Sequence, residues 1–342
     1  MDRKVIGIAH NVPVNLGEEY CEASLDVLTQ VEALEKSLVE LGHVPVRIPF
    51  TRDIKAFLRS VEEQHVEMVF NLCETVDENP QLAWHPAALL ELVGIPFSGS
   101  PSSALMITTD KLLTKQLLRT SGIKTPNWRV IDEMNKYYRN GIHYPALVKP
   151  RFEDASIGID QESIFPDGKS LTKKLEEFSA RFGSLLIEEY IEGREFNISV
   201  FGYPQPRVLA PAEIEFVDFP DTTYRIVGYR AKWDKNSFEY HNTPRSFPTN
   251  LPEFLLRGME KTALECARAF MLRDYARVDM RIDGQGNIYV LEINANPCLS
   301  PDAGFPAAVE FSGMTYNEMV RRFVEFMIRR SEGYAHQALQ LA

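Results

Sequence analysis

The sequence predicts an α+β chain led by an α/β unit, and three observations predict it. In the first hundred residues, short apolar runs alternate with segments of helical period, which is how parallel strands covered by helices read. After Gly193 the pattern turns strand-rich. Between residues 276 and 294, "DGQGN" separates two runs of alternating character, a strong hairpin signal.

Taken in order, "KVIGIA" is the first strand, and Leu25, Leu28, Val31, Leu34, Leu38 and Leu41 carry a helical stripe across residues 22–41. "VPVRIPF", a further helical stretch, "VEMVFNL" and a helix around "AALLELVG" follow, with Gly94 as its terminator. "IPFSGSPSS" is a loop, and the first boundary is set there. "TTDKLLTKQLLRTSG" is a helix with an Asp or Thr cap and a closing Gly122. "ALVKP" is a strand, residues 168–182 a helix and "SLLIEEYI" a strand; "REFNISVFG" and "RVLAPAEIEF" are strands, and helices close the chain at 304–313 and 315–331. Three units are expected, at 1–100, 101–190 and 191–342.

Composition narrows the function. Of 342 residues, 44% are hydrophobic and 25% charged, as in ordinary globular proteins. A formal charge of −11 argues against nucleic-acid or anionic-membrane partners, which need a basic surface. Cys21, Cys73, Cys266 and Cys298 form no CxxC pair, so a reduced cytoplasmic setting is expected. The apolar run Val5–Ala9 is too short for a signal peptide. His10, His85 and His241 have no metal-ligand spacing.

The hairpin carries the chemistry. With a loop from Gly284 to Asn287, Val278 faces Ile293, Met280 faces Leu291 and Ile282 faces Tyr289, an apolar face for the core. The other face pairs Asp279 with Glu292 and Arg277 with Asn294. Two opposed carboxylates repel, and a divalent cation removes that repulsion; Asp, Glu and an Asn oxygen are hard ligands suited to Mg²⁺. A solvated sheet face is the alternative. "YPALVKPRFEDASIGID" adds Lys149 at a strand end, then Ala155, Ser156 and Gly158, small residues that let backbone N–H groups approach phosphate. A plain connection is the alternative there. Neither GxxxxGK[ST] nor GxGxxG is present. In "LLIEEYIEGREF", a strand runs into Glu188, Glu189 and Ile191, with Glu195 beyond, a linker that would suit a purine and ribose or simply an acidic surface strand.

In this order, "GIPFSGS", "TTDKLLTKQLLRTSGIKTP", "LVKPRFEDASIGI", "LIEEYIEGREFNISVFG", "YRAKWDKNSFEY", "YARVDMRID" and "YVLEINANP" resemble the ATP-grasp superfamily and, within it, the D-alanine–D-alanine ligase-like proteins. The resemblance spans residues 4 to about 330. It implies an ATP-grasp fold, an N-terminal parallel α/β domain followed by two α+β lobes clasping ATP. It also implies an ATP-dependent carboxylate–amine ligase acting through an acyl phosphate on small amino-acid-like molecules. Two Mg²⁺ ions (Mn²⁺ as a substitute) and a homodimer are implied as well.

Carried over by motif, Lys111 and Lys149 would hold ATP phosphates under a lid at Ser156–Gly158, and Glu188, Glu189 and Ile191 would line adenine, with Glu195 at the ribose. Lys232 would reach the phosphates, Asp279, Glu292 and Asn294 would bind Mg²⁺, and Arg277 would steady the transferring phosphoryl group. Glu22, in "EASL", is a candidate for a substrate ammonium or else an exposed helix-start residue.

The departures gather at the substrate end. Ala155 stands where these ligases have a serine, Trp233 replaces a tyrosine, and Cys298 replaces a glycine. A carboxylate-binding hydroxyl is replaced near Asp302–Ala303, and Cys73 and Glu74 replace a histidine-glycine pair. The expectation is therefore that the acceptor or the donor is not D-alanine, and is amine-rich or lacks a terminal carboxylate. The alternatives are D-alanine–D-alanine ligase itself and a non-catalytic ATP-binding regulator. Cys298 as a nucleophile is a further candidate, though no histidine adjoins it in sequence.

Overall fold

Parallel pairing governs the beginning of the chain. The computed structural model describes residues 2–13, 20–132 and 141–341, side chains of 332–341 excepted. Strand β1 (Val5–Asn11), helix α1 (Cys21–Glu40), β2 (Val44–Phe50), α2 (Ile54–Glu63) and β3 (Met68–Asn71) form βα units, with the sheet ordered β2-β1-β3. Because helices cover a parallel sheet, its central strand is apolar on both faces, and Ile6, Ile8 and Ala9 are fully buried.

Helix α3 (His85–Val93) stops at Gly94, whose φ of 73° lies in the left-handed region. Then α4 (Ser102–Thr109) and α5 (Lys111–Thr120) follow one another. The sequence predicts a helix with an Asp or Thr cap, and Asp110 is that cap: its carboxylate accepts from the Leu112 and Leu113 amides at 2.9 and 3.4 Å. Helix α4 is not among the expected elements, and its first residues fall in the segment taken as a loop through Ser103.

A second, antiparallel sheet comprises β4 (Trp128–Ile131), β5 (Ala146–Pro150), β6 (Ile164–Phe165) and β7 (Leu185–Glu189), ordered β4-β7-β5-β6 and backed by α6 (Gly168–Phe182). The third sheet holds β8 (Arg194–Gly202), β9 (Arg207–Val208), β10 (Ala212–Ile214), β11 (Arg245–Ser246), β12 (Asp274–Ile282) and β13 (Ile288–Asn294), ordered β11-β10-β8-β12-β13 with β9 against β8. Short helices α7 (Tyr229–Trp233) and α8 (Phe238–Asn242) precede β11. Behind the sheet lies α9 (Glu253–Ala269), which the sequence reading passed over although Leu255, Met259, Ala263 and Cys266 repeat at helical spacing and are buried. Finally, α10 (Gly304–Phe311) leads to α11 (Tyr316–Leu341).

The last helix returns to the first sheet. Phe323 of α11 lies 6.3 Å, centroid to centroid, from Phe70 of β3 and 4.7 Å from Tyr275 of β12, so one core joins the beginning and the end of the chain.

The β12–β13 hairpin agrees with the expected register where the polar side chains sit and departs from it near the turn. Arg277 pairs with Asn294, Val278 with Ile293 and Asp279 with Glu292. Beyond a bulge, Met280 pairs with Val290 and Ile282 with Ile288, not with Leu291 and Tyr289. The turn explains the shift. Asp283 receives the Gln285 and Asn287 amides at 2.9 Å, its own amide bonds the Asn287 carbonyl at 3.1 Å, and Gly286 takes φ 81°, so the loop is one residue shorter than expected. Leu291 is the extra residue that restores the register, and it turns to the cleft while Val290 takes the buried place.

One buried ion pair ties α11 to β12. Arg330 donates to Asp274 at 2.5 and 2.8 Å and to the Phe97 carbonyl at 2.6 Å, and Asp274 also accepts from the Gly99 amide at 2.9 Å. Replacing Arg330 by Ala strands a buried carboxylate, so Arg330→Ala should lose about 3–5 kcal/mol of stability, read as a lowered midpoint in denaturant.

Candidate active site

A cleft of about 720 Å³ opens where the second and third sheets face one another. Its walls carry Lys149 from β5, Glu188 from β7, Glu195 and Asn197 from β8, Arg277 and Asp279 from β12, and Glu292 and Asn294 from β13. The alternation of strands aims each set inward, because residues two apart share a face. Glu189, Ile191, Lys232, Trp233, Cys298 and Ser156 line it too. Glu22, Lys111 and Gly158 do not, although Lys111 is held nearby.

On the hairpin, Arg277 grips Asp279 with two bonds of 2.7 and 2.9 Å, and the Asn197 amide adds a third at 2.8 Å. Burial works against the Arg277 charge, but Asp279 and Glu292 more than offset it and raise its pKa. Burial would likewise raise the Glu292 carboxyl. Lys111, Lys149 and Lys232, with a hydrogen bond from Asp154, instead bring it down to about 2, so it is anionic at neutral pH. Asp154 moves the opposite way, to about 7, through crowding by protein and the Glu292 charge, even though its side chain reaches solvent at the cleft mouth. Lys232 is also solvent-accessible in the cleft, and the protein around it together with Arg277 lowers its pKa.

The wall around Glu188, expected to meet adenine, is built on charge rather than on a bare acidic strand. Glu188 is buried between Lys149 at 2.5 Å and Lys115 at 2.9 Å, and Lys115 also donates to Thr125 at 2.7 Å. Burial lowers Lys115 to about 8, with Lys149 adding to that effect. The Glu188 carboxyl shifts downward, because the two ammonium groups outweigh burial. Sequence reading missed Lys115, yet it lies one turn after Lys111 on an amphipathic helix, facing inward. Glu189 accepts from the Asn127 side chain at 2.8 Å and the His143 amide at 3.1 Å. The Ile191 carbonyl and the Glu195 carboxylate both receive Arg281, at 2.7 and 2.8 Å. Arg281 thereby fixes the linker.

Lys111 is turned from the cleft proper. Its ammonium bonds the Glu153 carbonyl and meets Asp154 at 3.5 Å, which anchors the start of the loop that carries Ser156 and Gly158. In that loop Ala155 and Ser156 have φ of 54° and 63°, a strained region for side-chain-bearing residues. Two bonds sustain it: Trp233 Nε1 donates to the Ala155 carbonyl at 3.0 Å, and Ser156 Oγ donates to the Val227 carbonyl at 2.8 Å. Gly158 is required because a Cβ there would fall 2.8 Å from both Phe182 and Pro150.

At the far end, Asp26 and Glu74 reach the cleft, and Glu22 instead accepts from the Tyr229 hydroxyl at 3.1 Å. Asp26 sits one helical turn past Glu22 on the same helix face, and of the two it is Asp26 that lines the cleft. Asp26 receives the Cys298 thiol at 2.9 Å and the Ser300 hydroxyl at 3.0 Å, and Gln30 bridges to Glu74 at 3.2 Å. Burial, and then Asp26 and Glu74, raise the Cys298 pKa, which removes the case for a nucleophilic thiolate. Cys73 is buried packing.

Glu188→Gln should leave two buried ammonium groups facing each other, lowering stability by about 3–5 kcal/mol and ATP affinity at least tenfold. The sign with pH follows from the lowered carboxyl. The stability difference between wild type and variant should be full above pH 4.5, the ordinary value for Glu, and should close as pH falls through the lowered one. Denaturant midpoints from pH 3 to 8 check this.

The D-ala D-ala ligase C-terminus family model matches residues 117–325. A D-alanine–D-alanine ligase of Bacillus anthracis is 30% identical over 251 residues, 72% of this chain and 76% of its own. One of Aquifex aeolicus is 26% identical over 310 residues, 90% and 98% of the two chains. An uncharacterized protein, y4sG, of Sinorhizobium fredii is 29% identical over 267 residues, 78% and 76%. In fold, the crystal structure of the Bacillus anthracis ligase complexed with ATP superposes with a TM-score of 0.75, at 22% identity over 97% of this chain and 99% of that one. Among the described residues no helix is long and apolar enough to cross a membrane. The chain belongs to the D-alanine–D-alanine ligase family, ATP-dependent, ADP-forming C–N ligases with the ATP-grasp fold.

Proposed function

We propose that this chain joins a small carboxylate donor to a small amine acceptor through an acyl phosphate, with ATP cleaved to ADP. The single observation that carries the proposal is the convergence of Arg277, Asp279, Glu292 and Asn294 on a cleft whose opposite wall presents Lys149. D-Alanine in both roles, the activity in the relatives' names, is the reading that family membership favours. The altered residues at the far end, Cys298, Trp233 and Glu74, favour other amino-acid-like substrates.

The donor set fits magnesium. Two carboxylates and an amide oxygen on paired strands are hard ligands, and Glu292 is kept ionised by its lysine neighbours. No three Asp, Glu, His or Cys side chains cluster as a metal site among the described residues, so phosphate oxygens would have to complete the coordination. Bound there by Asp279, Glu292 and Asn294, Mg²⁺ would offset phosphate charge.

The chain's own groups do the rest. Lys149 supplies a fixed positive charge from the wall of the second sheet, held by Glu188. Arg277, locked by Asp279, places its guanidinium where negative charge grows as the donor carboxylate meets the γ-phosphate. Lys232 adds a further charge from α7. The loop carrying Ser156 lines the cleft, and closed over it would protect an acyl phosphate from water. Glu188, Glu189, Ile191 and Glu195 form the wall on which adenosine would lie.

The test incubates the purified chain with ATP, Mg²⁺ and a panel of amino acids and amines, scoring ADP release and product mass, with hydroxylamine added to trap any acyl phosphate. Hydroxamate formation supports the proposal; ADP release independent of any carboxylate contradicts it. Glu292→Gln should reduce ligation at least a hundredfold while leaving the circular dichroism spectrum unchanged, since the side chain serves the cleft and not the core. Trp233→Phe removes one hydrogen bond from the loop, worth about 1 kcal/mol. It should raise the ADP released per amide formed by about fivefold.

A further inference from the structure

The loop after β5 brings a further carboxylate to the hairpin. Asp154 lines the cleft, half-exposed, and lies within hydrogen-bonding reach of Glu292 on β13. Lys111 holds it from the other side, bonding the Glu153 carbonyl and meeting Asp154 Oδ1 at 3.5 Å. Past Asp154 the chain is fixed as well, since Ala155 accepts from Trp233 at 3.0 Å and Ser156 donates to Val227 at 2.8 Å. The side chain is thus placed by its backbone on both sides.

The hairpin alone is short of ligands. A carboxylate has about four lone-pair positions, and three of those on Asp279 are taken. Arg277 uses two, at 2.7 and 2.9 Å, and Asn197 one, at 2.8 Å. The Asn294 side-chain oxygen already accepts from the Asn296 amide at 2.9 Å. Mg²⁺ takes about six oxygens in octahedral array, so further donors must come from outside β12 and β13. Asp154 is a hard oxygen donor already beside Glu292. Two carboxylates in contact repel when both are ionised, and Lys111, shared with the Glu153 carbonyl, is a loose counterweight. A divalent cation between them removes the repulsion outright.

We propose that Asp154 is a ligand of the ion held by Glu292, so that metal binding pins this loop to the hairpin. The inference rests on the metal site of the ligase reading and adds a task to the loop. Nucleotide without metal sets its phosphates against Asp154, anion to anion, and leaves the loop loose. Only the metal–nucleotide complex draws it down over the cleft.

The experiment follows the loop and the ion separately, with the full chain, Mn²⁺ and β,γ-imido-ATP. Hydrogen exchange reads the Ile157 and Ile159 amides, which close turns on the Asp154 and Ser156 carbonyls at 3.0 Å. Electron paramagnetic resonance reads Mn²⁺ binding. In wild type, Mn²⁺ added to the nucleotide complex should slow exchange of those amides at least tenfold. Asp154→Ala should weaken Mn²⁺ binding about tenfold, and even at saturating Mn²⁺ it should lose the metal-dependent protection. Asp154→Glu should recover part of both, and the circular dichroism spectrum should be unchanged throughout. Unaltered Mn²⁺ affinity in Asp154→Ala, protection retained there at saturating Mn²⁺, or full protection of wild type by nucleotide alone would overturn the inference and leave the hairpin site standing. Should Glu292→Gln bind Mn²⁺–imido-ATP as tightly as wild type, the metal site itself is misplaced and the inference falls with it.

Discussion

Everything in the cleft depends on the register between β12 and β13. Side chains alternate along a strand, so a slip of one residue would send Arg277, Asp279, Glu292 and Asn294 into the core and bring Val278 and Ile293 to the cleft. Two features hold the register. Val278 and Met280 are fully buried against α9, which makes a slip costly in apolar area. The tight turn closed by Asp283 would shift the ladder by one, and the bulge at Leu291 removes that shift before Glu292 is reached. A structural irregularity thus keeps the chemistry aligned.

Charge is the second theme. Carboxylates and cations crowd a partly enclosed cleft, where each is stable only because another faces it. Glu188 sits between two lysines, Asp279 between Arg277 and Asn197, and Glu292 amid lysines contributed by α5, β5 and α7. The protein therefore holds its functional groups in place by mutual neutralisation.

The fold was legible wherever burial imposes a period. The first sheet, α6 and the polar face of the hairpin could be read because one face or both are apolar in a regular rhythm. The bulge could not, because nothing in "IYVLEIN" distinguishes Leu291 from its neighbours until the turn length is known. The short helix α4 before the Asp110 cap was hidden by its Ser- and Thr-rich ends, which read as loop. In the site, motif order named Lys149, Arg277 and the polar hairpin residues Asp279, Glu292 and Asn294, all of which line the cleft. Motif order was blind to Lys115 and Asp26, whose placement depends on contacts between segments far apart in the chain. Asp26 lies one turn from Glu22, and only the approach of Cys298 and Ser300 shows that it faces the cleft.

The most direct test of the account is where a metal–nucleotide complex binds. Crystals of the full chain grown with Mn²⁺ and a non-hydrolysable ATP analogue allow the ion to be located by its anomalous scattering. The account requires a peak within about 2.5 Å of oxygens from Glu292 and Asn294, with the triphosphate running from there toward Lys149. A nucleotide bound elsewhere, or an ion that leaves the hairpin oxygens untouched, would contradict it.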